Sequence, residues 1–230
     1  MVMQHNSNNQ LIEGGRRTQG FVRKPQPGRP IISVITIVFN GDKHIENAIK
    51  IVLDQDYDNI EHIIIDDASE DNSVQIVSDW LEKNKSFPVF IKNKRNLGIT
   101  KNLNKILSMA RGKYLAGVCD NIIHTTFFEV LILKFEKNNS AVVAYGDCRI
   151  VDSKGNVLFP SYFSRVRKRK SIKRSDQFMA LLKGNFIPAP GCLFSIVHLK
   201  QLGGWDESLF YEDWDMFLRI ANKGFDLIPV

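Results

Sequence analysis

From Ile31 onward the hydrophobic and polar positions of this chain alternate between two rhythms. Ile31 to Phe39 is a nearly unbroken apolar, β-branched run, the pattern of a strand buried on both faces. Asn40-Gly41-Asp42 then reads as a turn, with Asp42 placed to cap the next helix. From His44 to Gln55 the apolar positions Ile45, Ala48, Ile49, Val52 and Leu53 fall on one helical face. The unit repeats: strand Ile60 to Ile65, helix Asp71 to Lys83, strand Pro88 to Ile91, helix Ile99 to Ala110, strand Tyr114 to Val118. Strands alternating with helices predict an α/β fold, a Rossmann-like, mostly parallel sheet flanked by helices with right-handed crossovers.

After Asp120 the rhythm loosens into a smaller, mixed portion. Phe127 to Lys137 reads as a helix and Ala141 to Tyr145 as a strand. Arg149 to Val151 and Val157 to Phe159 flank an Asp-Ser-Lys-Gly turn and predict a hairpin. Cys192 to Val197 reads as a strand, Leu202 to Trp205 as a tight glycine-rich connection, and Glu212 opens a helix. Residues 1–30 are polar, carry Gly14-Gly15 and three prolines, and read as an extended arm poorly ordered in isolation. Residues 31–230 form the main domain, with halves at about 31–121 and about 122–230.

Composition narrows the classes. The chain has 230 residues, 43% hydrophobic and 24% charged, an ordinary globular balance. No apolar run approaches the ~20 residues of a membrane helix, and the N-terminus has no apolar signal core, so a cytoplasmic chain is expected. Cys119, Cys148 and Cys192 are odd in number and far apart, which fits reduced thiols rather than a disulfide framework or a zinc site. The absence of a Gly-x-Gly-x-x-Gly after the first strand argues against dinucleotide binding. Net charge is +6, concentrated in Arg165, Arg167, Lys168, Arg169, Lys170, Lys173 and Arg174. That run is a solvated loop or a contact to an anionic membrane surface or phosphate. It lacks interleaved aromatics and any recognition motif, so nucleic acid is not expected.

Two carboxylate clusters carry the candidate chemistry. Asp66-Asp67-Ala68-Ser69 follows the second strand directly, where open sheets bind ligands. A carboxylate there can accept a hydrogen bond from a base imide or a ribose hydroxyl. The competing reading, that Ser69 or Asp71 caps the following helix, does not explain the two acids before them. Tyr211-Glu212-Asp213-Trp214-Asp215 opens the last helix, and an acid there suits proton removal from an acceptor. The competing reading of Asp213 is a plain helix cap.

Taken in order, Thr36-Ile37-Val38-Phe39-Asn40, Gln55-Asp56-Tyr57, Asp66 to Ser69, Asn96-Leu97-Gly98, Lys101-Asn102, Arg111-Gly112-Lys113-Tyr114 and Glu212 to Asp215 resemble the family-2, GT-A-fold glycosyltransferases. The resemblance runs from about residue 30 to 230. It implies that Thr36, Phe39, Asp66 and Asp67 line a nucleotide base pocket, with Phe39 where Tyr is commoner. It implies that Asn96, Gly98 and Lys101 run along the nucleoside, with Lys101 where Arg is usual. It implies Asp213 as the catalytic base, supported by Glu212. Where the family places two acids for a divalent cation, Mn or Mg, this chain has Val118-Cys119-Asp120-Asn121-Ile122, so Asp120 and Asn121 are the candidate metal ligands and metal binding is expected to be weak. Asp120 is equally a candidate ribose ligand. Family members commonly continue beyond the strand that starts at Phe225, so the acceptor half reads as shortened.

The resemblance therefore implies an inverting transferase. It would move a sugar from a nucleotide diphosphate sugar, UDP-linked by expectation, to a hydroxyl of a saccharide or lipid-linked acceptor. The setting would be bacterial surface polysaccharide or glycolipid synthesis, at the inner face of the membrane. The alternatives are a non-catalytic nucleotide-sugar binder with a degenerate metal motif, and a basic membrane-apposed scaffold. His124 is a candidate for the diphosphate or a surface histidine. Trp205 and Asp206 are candidates for the acceptor site or packing of the turn. Asp147 and Arg149 read as structural.

Overall fold

The computed structural model describes residues 4–5, 12–14, 26, 28–84, 88–118, 124–152, 156–165 and 172–230. The chain divides into two compact units, residues 1–126 and 127–230.

In the first unit, β1 (Gln4–His5) and β2 (Ile12–Gly14) lead to the strand β3 (Ile32–Val38), followed by α1 (Ile45–Leu53), β4 (Ile60–Asp66), α2 (Ser73–Asn84), β5 (Val89–Lys92), α3 (Ile99–Met109) and β6 (Tyr114–Gly117). Within this unit the strand order is β1-β2-β5-β4-β3-β6. The pairs β3–β4, β3–β6 and β4–β5 are parallel. The β3–β4 and β4–β5 pairs are strand-helix-strand units of the alternation in the sequence, and β6, arriving through α3, pairs on the other side of β3. β3 and β4 stay in register over seven pairs, Ile32 against Ile60 through Val38 against Asp66. That long unbroken ladder carries Asp66 to the very end of β4. The N-terminal arm is more than an appendage: β2 lies antiparallel on β5, with Ile12 against Lys92 and Gly14 against Phe90.

Strand side chains alternate between faces. Val38, Ile64 and Phe90 pack with Ile45 and Ile49 of α1 and Val77, Trp80 and Leu81 of α2. The helical face predicted for α1 is buried at Ile45, Ala48, Ile49 and Val52, but Leu53 is exposed, because α1 ends there and Asp54 already leaves the helix. Asp42 does not cap α1. His44 occupies that position without a side-chain bond, and the Asp42 backbone N–H donates to Asp71 Oδ2 at 3.0 Å. Asp71 Oδ1 accepts from Ser73 N–H at 2.9 Å, so the start of α2 ties down the turn before α1. Gly112 explains the Arg-Gly-Lys-Tyr motif. A Cβ at Gly112 would come within 2.7 Å of the Ser33 backbone nitrogen, so only glycine lets this segment lie against β3.

The second unit holds α4 (Phe127–Glu136), β7 (Ala141–Tyr145), the hairpin of β8 (Ile150–Val151) and β9 (Val157–Phe159), α5 (Tyr162–Arg165), α6 (Arg174–Leu182), β10 (Cys192–Ser195), α7 (Ile196–Gln201), α8 (Glu212–Asn222) and β11 (Asp226–Pro229). Its strand order is β10-β7-β11, antiparallel then parallel. β10 stops at Ser195, and Ile196–Val197, expected to continue it, begin α7 instead. An apolar run alone does not separate a strand from a buried helix turn. Phe194 stacks on Phe217 at 6.0 Å and meets Trp205 edge-on at 6.0 Å, which fixes β10 against α8. The Gln177 side chain of α6 donates to Leu227 O and accepts from Leu227 N–H, pairing with β11 as a backbone would.

One buried polar bridge spans the first unit. Thr36 Oγ1 donates to Val118 O at 2.9 Å and lies 3.0 Å from His62 Nε2. The hydroxyl has one proton and gives it to Val118, so His62 Nε2 carries the hydrogen and Nδ1 is left as an acceptor. Nδ1 is buried and has no partner among the described residues. Burial lowers the His62 pKa to about 3. A depressed histidine makes the unfolded chain bind a proton first. Stability is therefore complete above pH 6.5 and declines as pH falls from there toward 3. The expected slope of the unfolding free energy in urea is at most about 1.4 kcal/mol per pH unit over that window. His62→Gln should flatten it. An equally steep slope in His62→Gln would show that other groups set the acid limit.

Candidate functional site

The two acids at the end of β4 have different fates. Asp66 is the last strand residue and fully buried; Asp67 begins the loop and is also buried. Asp67 Oδ1 accepts from Asn93 Nδ2 at 2.7 Å and from Leu97 N–H at 2.9 Å, and Oδ2 accepts from Gly98 N–H at 2.9 Å. Burial pushes the Asp67 carboxyl up, but hydrogen bonds from Asn102, Asn93, Leu97 and Gly98 outweigh it and hold the group below its usual value. Asp67, expected in the base pocket, thus holds the loop that leads into α3, and its Oδ2, with one N–H, keeps room for a further donor. Asp66 keeps an unused acceptor. Its Oδ2 takes Ser69 N–H at 3.1 Å, while Oδ1 is buried without a partner among the described residues.

The loop from Asn93 to Gly98 is built around these bonds. Gly98 has φ +81°, a conformation that disfavours side chains, and its N–H is shared between Asp67 and Asn96 Oδ1 at 3.0 Å. Asn96 and Lys101 are exposed, whereas Lys105, not among the expected site residues, reaches inward. Lys105 Nζ donates to Asn93 Oδ1 at 2.6 Å; burial pulls its pKa down and the Asp67 charge opposes that. Asn93 and Asn102 join the same cluster, with Asn93 Nδ2 donating to Asn102 Oδ1 at 2.8 Å. The signal for these residues was weak, since a lone Asn or Lys in an amphipathic stretch reads as solvent-facing.

At the end of β3, Thr36 through Phe39, Gly41, His44, Ile45 and Ala48 line a cleft of about 170 Å³. Phe39 is half exposed there and free to stack. Thr36 lines the cleft, and its hydroxyl donates to Val118 and accepts from His62. Asp120 and Asn121 lie outside the described residues. Their flanks do not. Val118 N–H donates to Ile35 O at 2.8 Å. On the far side Gln55 Nε2 donates to His124 O at 3.1 Å, and Thr125 is doubly tied to Asp56. That is the work of the Gln-Asp-Tyr motif. His124 uses Nδ1 on Thr126 Oγ1 at 2.9 Å, a local turn contact. Among the described residues no group of three His, Cys, Asp or Glu could hold a metal ion.

In the second unit, Tyr211 is the N-cap of α8 and makes no side-chain cap bond, so Asp213 is not the cap. Asp213 sits in the first turn, and its Oδ2 accepts from Asn185 Nδ2 at 3.2 Å. Asp215 pairs with Arg219 at 2.7 Å, and Trp214 Nε1 donates to Leu181 O at 2.9 Å. Burial raises the Glu212 pKa; its own backbone N–H opposes this and the neighbouring Asp213 charge adds to it. Trp205 is buried against Phe194, and Asp206 accepts from the Ser208 hydroxyl and N–H, so both serve the turn. Asp147 is structural, with Oδ1 receiving Cys148 N–H and Phe163 N–H. Of the basic run, Arg165 lies over the Phe159 ring and Arg174 pairs with Asp226 at 3.6 Å. Residues 166–171 lie outside the described residues.

The family model "Glycosyl transferase family 2" matches residues 33–202. The chain belongs to this family. An uncharacterized glycosyltransferase of Rickettsia typhi is 30% identical over 203 residues, covering 86% of this chain and 61% of the relative. One from Methanocaldococcus jannaschii is 29% identical over 206 residues, covering 87% and 68%. Among solved structures, a mannosyltransferase from Pyrobaculum calidifontis in complex with GDP-Man and Mn2+ superposes with TM-score 0.68 at 19% identity, over 90% of this chain and 56% of that one. S. aureus TarS in complex with UDP gives 0.62 at 20% identity, over 86% and 57%. The family-2 member described here thus shares the GT-A fold and spans about three fifths of these proteins. No helix among the described residues is long and apolar enough to cross a membrane.

The Asp67 cluster gives a direct test. Asp67→Ala strands the Leu97 N–H and takes one of two acceptors from Gly98 N–H and from Asn93 Nδ2, and the expected loss of stability is about 1–3 kcal/mol. Urea unfolding at pH 7 measures it. A loss below about 0.5 kcal/mol would mean that Asn93 to Gly98 is held without this carboxylate.

Proposed function

We propose that this family-2 protein is an inverting glycosyltransferase whose first unit binds a nucleotide diphosphate sugar and whose second unit supplies the proton acceptor. The observation that carries the donor half is the buried, unpaired Oδ1 of Asp66 at the C-terminal end of a parallel strand. An acceptor of that kind matches a base with a ring N–H, which uracil and guanine have and cytosine lacks. The solved neighbours bound to UDP and to GDP-Man support such a donor class. Phe39 supplies a stacking face, and Asn96 and Gly98 present the loop held by Asp67.

In the second unit Asp213 takes the acceptor hydroxyl's proton as that oxygen bonds to the anomeric carbon and the nucleoside diphosphate leaves. The reaction is a single displacement, so one base suffices. Glu212 keeps the acceptor oriented. Asp120 and Asn121 would hold a divalent cation through one carboxylate and one amide oxygen, hard donors that suit Mg2+ or Mn2+. The cation would offset charge on the departing diphosphate. With a single carboxylate the manganese requirement is shallow. A saccharide or lipid-linked acceptor belongs to this proposal.

Two variants test it together. Asp66→Asn keeps an oxygen for Ser69 but loses the carboxylate, and UDP or GDP affinity should fall about 10- to 100-fold by calorimetry with manganese present. Asp213→Asn should leave that affinity intact and lower sugar transfer about 100- to 10,000-fold. Unchanged nucleotide affinity in the first removes Asp66 from the site. Wild-type turnover in the second removes the base, and binding without any transfer by the unaltered chain would favour a non-catalytic nucleotide-sugar binder.

A further inference from the structure

We infer that Asn185 is a positioning residue that aims the Asp213 carboxylate, an inference that rests on reading Asp213 as the proton acceptor. Asn185 follows α6 in a loop whose next residues, Phe186, Ile187 and Pro188, are buried, so the backbone is anchored. Its side chain is anchored as well. Asn185 Oδ1 accepts from Ile187 N–H at 3.0 Å. A backbone N–H can only donate, so the amide oxygen must face Ile187 and the amide nitrogen must face away. That nitrogen donates to Asp213 Oδ2 at 3.2 Å. One side chain therefore reads the loop with one end and the carboxylate with the other.

The choice of an amide is chemically specific. Asp213 stands in the first turn of α8, where the helix dipole draws a carboxylate toward free backbone N–H groups. A bond from outside the helix holds one oxygen elsewhere. Oδ1 has no donor among the described residues, so it is available to accept a proton. An arginine or lysine in place of Asn185 would orient the group equally well but would depress its pKa and weaken it as a base. A neutral donor orients with less loss of basicity. The groups that face Asp213 electrostatically are Glu212 on its own helix, Tyr162 of α5 and Cys192 of β10. Burial raises both the phenol and the thiol, so they are neutral near pH 7, and Glu212 is the like charge in the set.

Asn185→Asp is the decisive variant. It keeps an oxygen for Ile187 N–H, so the loop survives, and it replaces the donor with a second carboxylate. Release of nucleotide is followed with UDP-N-acetylglucosamine and GDP-mannose, water serving as acceptor. The expected result is a fall in kcat of about 10-fold or more at pH 7, donor KM within about twofold, and an acid limb of kcat moved to higher pH. The 13C titration of the Asp213 carboxyl, which needs no substrate, should move up in parallel. Asn185→Leu removes the donor without adding charge and should lower kcat while sparing KM. If it unfolds, Asn185→Asp still decides. A wild-type rate and an unmoved Asp213 titration in Asn185→Asp, while Asp213→Asn is inactive, overturn the role of Asn185 alone. Undiminished turnover in Asp213→Asn overturns the base reading and this inference with it.

Discussion

The first unit depends on one carboxylate receiving three N–H groups. Asp67 gathers Asn93, Leu97 and Gly98 onto the end of β4, and without that charge the Leu97 N–H would lose its acceptor and the other two donors would each lose one of two. The consequence reaches the neighbouring residue. Because Asp67 absorbs the donors of the loop, Asp66 is left with an oxygen that nothing in the described chain pairs. A buried carboxylate oxygen without a donor is costly, and such costs concentrate where a ligand supplies what the protein withholds. The paired acids thus differ in partnering, one holding the loop into α3 and the other keeping an oxygen that the proposed nucleotide would use.

A comparable division surrounds Asp120 and Asn121. Thr36 and Ile35 hold Val118 on one side, and Gln55 and Asp56 hold His124 and Thr125 on the other. Two motifs that look unrelated in the sequence, in β3 and after α1, hold the described residues on either side of that segment. The Thr36–His62 contact adds a pH limit, since a histidine that must stay neutral to keep this place in the core is lost to the unfolded state in acid.

Much of this was legible beforehand. The alternation of apolar runs with amphipathic stretches located β3, α1, β4, α2, β5, α3 and β6 to within a few residues, because burial on both faces and burial on one face leave different periods. The second unit was less legible. α5 and α6 have short or weak apolar faces, and the apolar Ile196–Val197 could serve strand or helix equally. At the candidate site, residue types alone do not show the hydrogen-bond partners. Nothing in Asp66-Asp67 says which acid will meet backbone N–H groups about thirty residues away, and nothing in the sequence around Asn93, Lys105 or Asn185 marks it as part of a cluster. Those assignments come from long-range hydrogen bonds, which leave no period.

The helix start at Asp213 shows why role and residue type must be separated. Three acids occupy the first turn of α8, all favoured there by the dipole. Favourable placement alone therefore cannot single out a base. Their partners differ: Asp215 pairs with Arg219, burial raises the Glu212 pKa, and Asp213 meets a neutral amide. A carboxylate engaged by a guanidinium is a poorer proton acceptor than one held by a neutral donor. Among the described residues Asp213 is the one of the three held by an uncharged side chain from outside the helix, and that fixed direction is what the proposed proton abstraction from a hydroxyl would use.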